Sequence, residues 1–360
     1  MFEYRIYPSS KQLDRLNSIF RLCSELYNIL PTEHEAAYEQ HQRTLTRNDL
    51  NNFITELKRR DARFKAVYSQ VLQDQADRLS KAFANYFRRC KEKKEGANIE
   101  VGYPRYKRSV HSITYPQNRG SFKLVGNKLA VSKIGRIPIV LHLPIEGTIK
   151  NLTIKRNRAG QFFAVFSCVV DVPEPSTHSG PSVGLDQGLK SFIVGSDGLV
   201  VEPPKFLRKS GKRLIKEQRK LSRKVKGSKN RRKQRRKVAR VHLKITNQRD
   251  DWLHQLSREL TTKYGTIVVE DLQLVDLVRD HHLAKSFHDA GLGTFIRMLE
   301  YKVSETGAQL VSVNRACTAH TYLDEVTSGR TITDFSSVSG PIMRMRSGDG
   351  QKHQCRHQHT

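Results

Sequence analysis

The spacing of apolar residues changes period along the chain, and the changes divide it. Residues 3–7 alternate like a short strand. Pro8-Ser9-Ser10 then opens a segment in which Leu13, Leu16, Phe20, Cys23, Tyr27 and Leu30 recur at three- and four-residue intervals. That spacing predicts a helix, stopped at Pro31. A second helix is predicted from Thr46, with Leu50, Phe53, Ile54 and Leu57 on one side, and a third carries Leu72, Ala76, Leu79, Phe83, Tyr86 and Phe87. Such stripes read as core rather than as a cofactor box. The opposite faces present Arg59, Arg60, Arg78, Arg88 and Arg89, placed to track phosphates. From residue 103 to 172 the period falls toward two, with short strands predicted at 122–125, 129–131, 137–143, 148–155 and 162–170 between glycine turns. Strands at this spacing point to a small barrel or sandwich. Residues 173–182, rich in Pro, Ser and Gly, read as a polar linker and the main domain boundary.

Beyond the linker, strands and helices alternate, which predicts a mixed α/β sheet. A short apolar strand delivers Asp186 at its end, and Gly188 lets the backbone turn closely past it. Ser196-Asp197-Gly198 between residues 192–194 and 199–201 is a hairpin signal. A helix bearing Trp252, Leu253, Leu256, Leu260 and Tyr264 leads to a second buried strand, 265–272, which carries Glu270. Leu292, Phe295, Ile296, Leu299 and Val303 mark a helix capped by Gly307, followed by a strand at 309–313. Carboxylates at neighbouring strand ends can converge on one metal site. Phosphodiester cleavage by two metals about 3.5–4 Å apart needs such hard oxygen ligands. One strand-end Asp often does no more than cap the next helix; two in one domain, on either side of a basic segment, point to metal chemistry.

Charge sharpens this reading. The chain of 360 residues has 64 Lys plus Arg against 35 Asp plus Glu, a formal net charge of +29. Such a chain repels itself until it meets a polyanion, and nucleic-acid phosphates are the usual one. A membrane surface is the competing polyanion, but there is no apolar run of 18 residues and no signal-peptide pattern after Met1, so a soluble cytoplasmic protein is expected, nucleoid-associated when bound to DNA, with no membrane partner. Residues 205–244 hold 20 Lys or Arg against one acid, Glu217, while Leu207, Leu214, Leu221 and Val225 keep a helical rhythm. This predicts a phosphate-tracking helical pair rather than a disordered arm. Arg105, Lys107, Arg108, Lys150, Lys155, Arg156 and Arg158 interleave with Tyr103, Tyr106, Phe162 and Phe163, which suits backbone neutralisation with base stacking, unless the rings are core. We take Arg105, Lys107, Lys155, Arg156, Arg219, Arg223, Arg231, Arg232, Arg235 and Arg236 as candidate nucleic-acid contacts. Cys23, Cys90, Cys168, Cys317 and Cys355 are scattered and form no Cys-x-x-Cys pair, so no disulfide framework is expected; Cys23 and Cys90 lie on apolar faces as small hydrophobes.

Asp186 in Val-Gly-Leu-Asp-Gln-Gly-Leu, the long Arg/Lys region and Glu270 in Ile-Val-Val-Glu-Asp-Leu together resemble the TnpB family of insertion-sequence proteins, related to type V CRISPR effectors. The start Tyr4-Arg5-Ile6-Tyr7-Pro8, the Gly102-Tyr103-Pro104-Arg105-Tyr106-Lys107 element and the Ile134-Gly135-Arg136 turn agree, so the resemblance spans residues 1 to 316. It implies an α+β multidomain chain: a helical bundle (11–99) inserted into a small wedge-like β-barrel (1–10 and 100–172), then a RuvC-like, RNase H-type α/β domain (183–316) with a basic helical insertion at 205–245. It also implies a guide RNA and a double-stranded DNA target as partners. Cleavage would be magnesium-dependent, with Asp186 and Glu270 as the first two Mg²⁺ ligands. Oligomeric state is left open.

The family pattern continues with two Cys-x-x-Cys pairs binding zinc and a final Asp near Asn-Ala-Ala. This chain has Tyr322 near the first expected thiol, Ser336-Ser337-Val338-Ser339-Gly340 where the second pair falls, and no Cys-x-x-Cys. Zinc is therefore not expected. Asp324, Asp334 and Asp349 are candidates for the missing carboxylate, Asp349 foremost, and Cys317, His320, Cys355 and His357 could form an improvised metal site. Residues 317–360 are thus expected to be a degenerate tail, from a frameshift or other decay, and cleavage to be impaired. The alternatives are a guide-dependent repressor without nuclease activity, or a non-functional decayed product. No Tyr or Ser nucleophile motif for strand joining stands out.

Overall fold

A computed structural model describes residues 1–116, 120–170, 175–271 and 284–314. They form two compact units, one within Met1–Ser176 with Pro204–Ser257, the other within Thr177–Pro203 with the described residues from Arg258 to Asn314.

The first unit is built on an antiparallel sheet of seven strands: β1 (Phe2–Ile6), β2 (Ser112–Pro116), β3 (Phe122–Val125), β4 (Lys128–Val131), β5 (Gly135–Val140), β6 (Thr148–Arg156) and β7 (Phe162–Val169). Their order is β2-β6-β7-β1-β5-β4-β3, so the N-terminal strand lies in the middle, paired with β7 from Phe2↔Phe166 to Ile6↔Phe162 and with β5 on its other side. The helices α1 (Ser10–His41), α2 (Arg47–Arg60) and α3 (Ser69–Lys94) are therefore inserted between β1 and the rest of its sheet. Six of the seven strand positions agree with the alternation in the sequence; β2 was not anticipated.

Local chemistry explains the helix starts. Ser9 and Gln12 form a reciprocal capping box at α1, and Thr46 with Asp49 forms another at α2. The expected stop at Pro31 is wrong: α1 runs through it to His41. A mid-helix proline forfeits one backbone hydrogen bond, but Leu30 and Pro31 are buried, and the His34 ring stacks on Phe83 of α3 with centroids 4.1 Å apart. That packing holds the turns beyond the proline. Leu16, Cys23 and Leu26 of α1, Leu72 and Leu79 of α3, and Ile113 and Ile154 of the sheet belong to one core cluster.

The basic segment folds as α4 (Phe206–Ser222) and α5 (Lys229–Lys263), joined through a small core of Leu214, Val238, Val241 and Ile245. Although it interrupts the C-terminal α/β unit in sequence, Pro204–Ser257 groups with the first unit.

The second unit has five strands, β8 (Ser182–Gln187), β9 (Ile193–Gly195), β10 (Val200–Val201), β11 (Thr266–Asp271) and β12 (Gln309–Asn314), in the order β10-β9-β8-β11-β12. β8, β9 and β10 form an antiparallel meander, whereas β11 is parallel to both β8 and β12. Helices α6 (Ala284–Ala290) and α7 (Leu292–Thr306) precede β12, and α7 ends on Gly307 in the left-handed conformation at φ 75°. Part of the expected linker is structural here. The His178 amide donates to the Gly307 carbonyl (3.1 Å), Gly180 N donates to His178 Nδ1 (3.0 Å), and Gly265 N donates to Pro181 O (3.0 Å).

Candidate nuclease centre and basic surfaces

Alternation in β8 buries Val183, Leu185 and Gln187 and turns Gly184 and Asp186 to the other face. In β11, Ile267 and Val269 are buried and Val268 and Glu270 take the opposite face. The two strands are parallel and in register from Thr266↔Ser182 to Val269↔Leu185. Glu270 and Asp186 each directly follow the last of these paired positions. Neighbouring strands lie about 4.8 Å apart, and Mg–O distances are about 2.0–2.1 Å, so two same-face carboxylates in register can share one cation. Asp186 is exposed and Glu270 half-buried. Both donors are hard oxygens, and the set fits magnesium in kind. Asp271 is exposed and takes the opposite pleat, and among the described residues no group of three His, Cys, Asp or Glu is assembled. Asp324, Asp334, Asp349 and the Cys317, His320, Cys355 and His357 set lie outside the described residues, as does the rest of the tail.

A third carboxylate ties the β9–β10 hairpin to the entry of β11. Asp197, at the tip of the β9–β10 hairpin, accepts from the Tyr264 hydroxyl, from Leu199 N (3.1 Å) and from Lys263 Nζ (3.3 Å). The Tyr264 hydrogen bond, ahead of the Leu199 amide and Lys263, holds its carboxyl at about 2, well below the usual range. The turn was legible in the sequence; this tie to the entry of β11 was not, since 67 positions separate Asp197 from Tyr264.

The expected nucleic-acid contacts divide into two groups. Arg105, Arg219, Arg223, Arg232, Arg235 and Arg236 are exposed. The others have intramolecular work. The Lys107 ammonium sits 3.5 Å from the centroid of the Tyr27 ring, and burial lowers its pKa. Lys155 pairs with Glu3. Arg156 donates to Asn17 Oδ1 (2.7 Å) and covers the Phe20 ring. Arg231 donates to the carbonyls of Leu221 (3.0 Å) and Lys224 (2.8 Å), closing the turn between α4 and α5. Arg78, expected on an exposed face, instead pairs with Asp74 (2.7 Å) and donates to Ser112 O (2.9 Å), joining α3 to β2. Phe162 is buried and belongs to the core, whereas Tyr103 and Tyr106 remain exposed. Cys23 is fully buried, as its position on an apolar face implied, while Cys90 is half-buried.

One feature was missed. Between α1 and the stretch before β2 lies a cleft of about 400 Å³, its walls including Asn17, Phe20, Arg21, Arg108 and Arg156. No local pattern announces it, because its walls come from separate parts of the chain.

Residues 165–280 match the family model OrfB_IS605, described as "Probable transposase". A protein of Streptomyces pristinaespiralis named "Putative RNA-guided DNA endonuclease" is 35% identical over 321 residues, covering 87% of this chain and 77% of that one. InsQ of Escherichia coli K12, with the same description, is 26% identical over 337 residues, covering 88% and 81%. A cryo-EM structure of a Cas12f1–sgRNA–target DNA complex aligns over 84% of this chain and 73% of that chain at 11% identity, with a TM-score of 0.45, too loose a likeness to carry an argument. The identity and mutual coverage of the Streptomyces protein, together with the transposase-family match, mean that this chain belongs to the TnpB family of insertion-sequence proteins.

Proposed function

We propose that the protein is an RNA-guided DNA-binding protein with a RuvC-like, RNase H-type magnesium centre whose cleavage step is impaired. The observation that carries this reading is the parallel pairing of β8 with β11 through Val269↔Leu185, the positions just before Glu270 and Asp186, with both carboxylates alternating onto the face opposite the buried residues. The meander followed by two parallel strands supports an RNase H-type sheet, and the curated relatives' names support RNA guidance and DNA as target.

In this reading Asp186 and Glu270 hold Mg²⁺ by their carboxylate oxygens. Bound there, the ion supplies Lewis acidity at the scissile phosphate and a more acidic water. The exposed arginines of α4 and α5 neutralise guide and target phosphates, a sequence-independent attraction consistent with recognition by shape and charge. The family's zinc thiols and last carboxylate have no counterpart in its sequence context, so the ion is held by too few ligands and the nucleophile is poorly placed.

The test is cutting of guide-matched DNA in Mg²⁺ beside binding of the same target. Tight target binding is expected with strand breaks reduced by at least about 100-fold relative to a relative with the full ligand set. Robust cutting that Asp186→Ala abolishes overturns the impairment. Failure to bind any transcript of its own element overturns RNA guidance.

A further inference from the structure

The three parallel strands of the second unit, β8, β11 and β12, are tied to one residue before any of them begins. The His178 amide donates to Gly307 O (3.1 Å), at the approach to β12. Its Nε2 lies 3.0 Å from Thr262 O, on the approach to β11, and its Nδ1 lies 3.0 Å from Gly180 N, on the approach to β8. Residue 262 is 84 positions from His178.

Chemistry fixes the tautomer of this imidazole. An amide N–H only donates and a carbonyl only accepts. Nδ1 therefore carries the lone pair and Nε2 the proton, so each ring nitrogen has one defined partner. A half-turn of the ring would bring carbon atoms to both places, so the two bonds together set its orientation. The side chain thus spans from the approach of one strand to the approach of the other.

The ladder beyond it is short. β8 and β11 pair from Thr266↔Ser182 to Val269↔Leu185, and Asp186 and Glu270 directly follow the last pair. Side chains alternate along each strand, so a slip of one position would set the two carboxylates on opposite faces. The backbone supplies part of the lock, through Gly265 N donating to Pro181 O (3.0 Å). That bond leaves the 178–181 segment free to pivot about Pro181; the bond from His178 to Thr262 removes the pivot.

We propose that His178 is a positioning residue for the magnesium pair: it indexes β8 against β11 at their entry and so fixes where Asp186 and Glu270 stand relative to each other. The proposal rests on the magnesium-centre reading above. From Ser182 to Asp186 the strand rises about 13 Å, so His178 acts through the ladder and not by contact. Metal ligands must be held to within about 0.5 Å, so loss of this tie is felt first as weaker metal binding.

The experiment uses the full chain and Mn²⁺ alone, a paramagnetic stand-in for Mg²⁺ whose free fraction is read by EPR, well below the melting transition. In H178N the side-chain oxygen takes the place of Nδ1 and keeps the bond from Gly180 N, but nothing reaches Thr262. In H178Q the longer amide puts an N–H donor near the place of Nε2. H178A and H178N are expected to bind Mn²⁺ about 10-fold more weakly, and H178Q to recover most of the loss. G198A, strained at the hairpin and away from this tie, is the stability control, and D186N reports whether the signal comes from the pair. Unchanged affinity in H178A or H178N overturns the positioning role and leaves the magnesium reading standing. H178Q no better than H178N, or a G198A loss as large as that of H178A, overturns it too, because general loosening then suffices. Mn²⁺ binding that D186N leaves intact overturns the magnesium pair itself, and the positioning role with it.

Discussion

Gly265 precedes β11 at the point where the strand bearing Glu270 is set against the strand bearing Asp186. A Cβ there would lie 2.5 Å from the His178 carbonyl oxygen, 2.6 Å from that of Gly180 and 2.9 Å from Gly180 N. All three are backbone atoms, so relief requires the 178–181 segment to withdraw by several tenths of an ångström. That segment is tied by Gly265 N to Pro181 O (3.0 Å), and Gln309 N donates to Gly265 O (2.7 Å) at the start of β12. Overpacking costs about 1–3 kcal/mol, and each strained hydrogen bond adds about 1 kcal/mol. Gly265→Ala should therefore destabilise the second unit by about 3 kcal/mol, and at about 4 °C per kcal/mol lower its melting temperature by roughly 12 °C. Gly198→Ala is the control: φ is +86° and the space is open, so only left-handed strain of about 1–2 kcal/mol applies. Thermal unfolding followed by circular dichroism checks both. If G265A melts within about 2 °C of wild type, or no lower than G198A, the close approach does not set the strand entry and this reasoning fails.

Three further outcomes are expected. Arg78→Ala strips Asp74 of its guanidinium in a site where burial already raises the carboxyl pKa, so urea unfolding should show a loss of about 3 kcal/mol, partly restored by adding Asp74→Asn; a loss below about 0.5 kcal/mol refutes the role given to the pair. Asp197 has a folded pKa of about 2, below its unfolded value, so its contribution is present above the unfolded pKa and is lost as pH falls from about 4 toward 2; Asp197→Asn should flatten acid unfolding in that window, and an unchanged acid limb contradicts the network with Tyr264. Burial pushes the Cys23 thiol up to about 12, so a thiol reagent at pH 8 should label half-buried Cys90 first and Cys23 only after unfolding; early labelling of Cys23 contradicts the packing of α1.

Periodicity and turn chemistry decided the local elements. The caps at Ser9 and Thr46, the alternation through residues 122–169, the Ser196-Asp197-Gly198 hairpin and Gly307 at the end of α7 all follow from which backbone groups need partners and which faces must be dry. The strands carrying Asp186 and Glu270 were legible for the same reason, each a short apolar run that must be dry on one face. Pro31 marks where local reading fails, because the burial of α1 outweighs one missing hydrogen bond. Whether a given arginine faces solvent was beyond the sequence as well. Arg78, Arg156 and Arg231 are spent on Asp74, Asn17 and the α4–α5 turn, whereas Arg235 and Arg236 are exposed. Those assignments depend on partners up to 139 positions away, as do the register of β11 with β8 and the walls of the arginine cleft. Composition states how much charge a chain carries; only packing between distant segments decides which charges are neutralised and which are left facing a ligand.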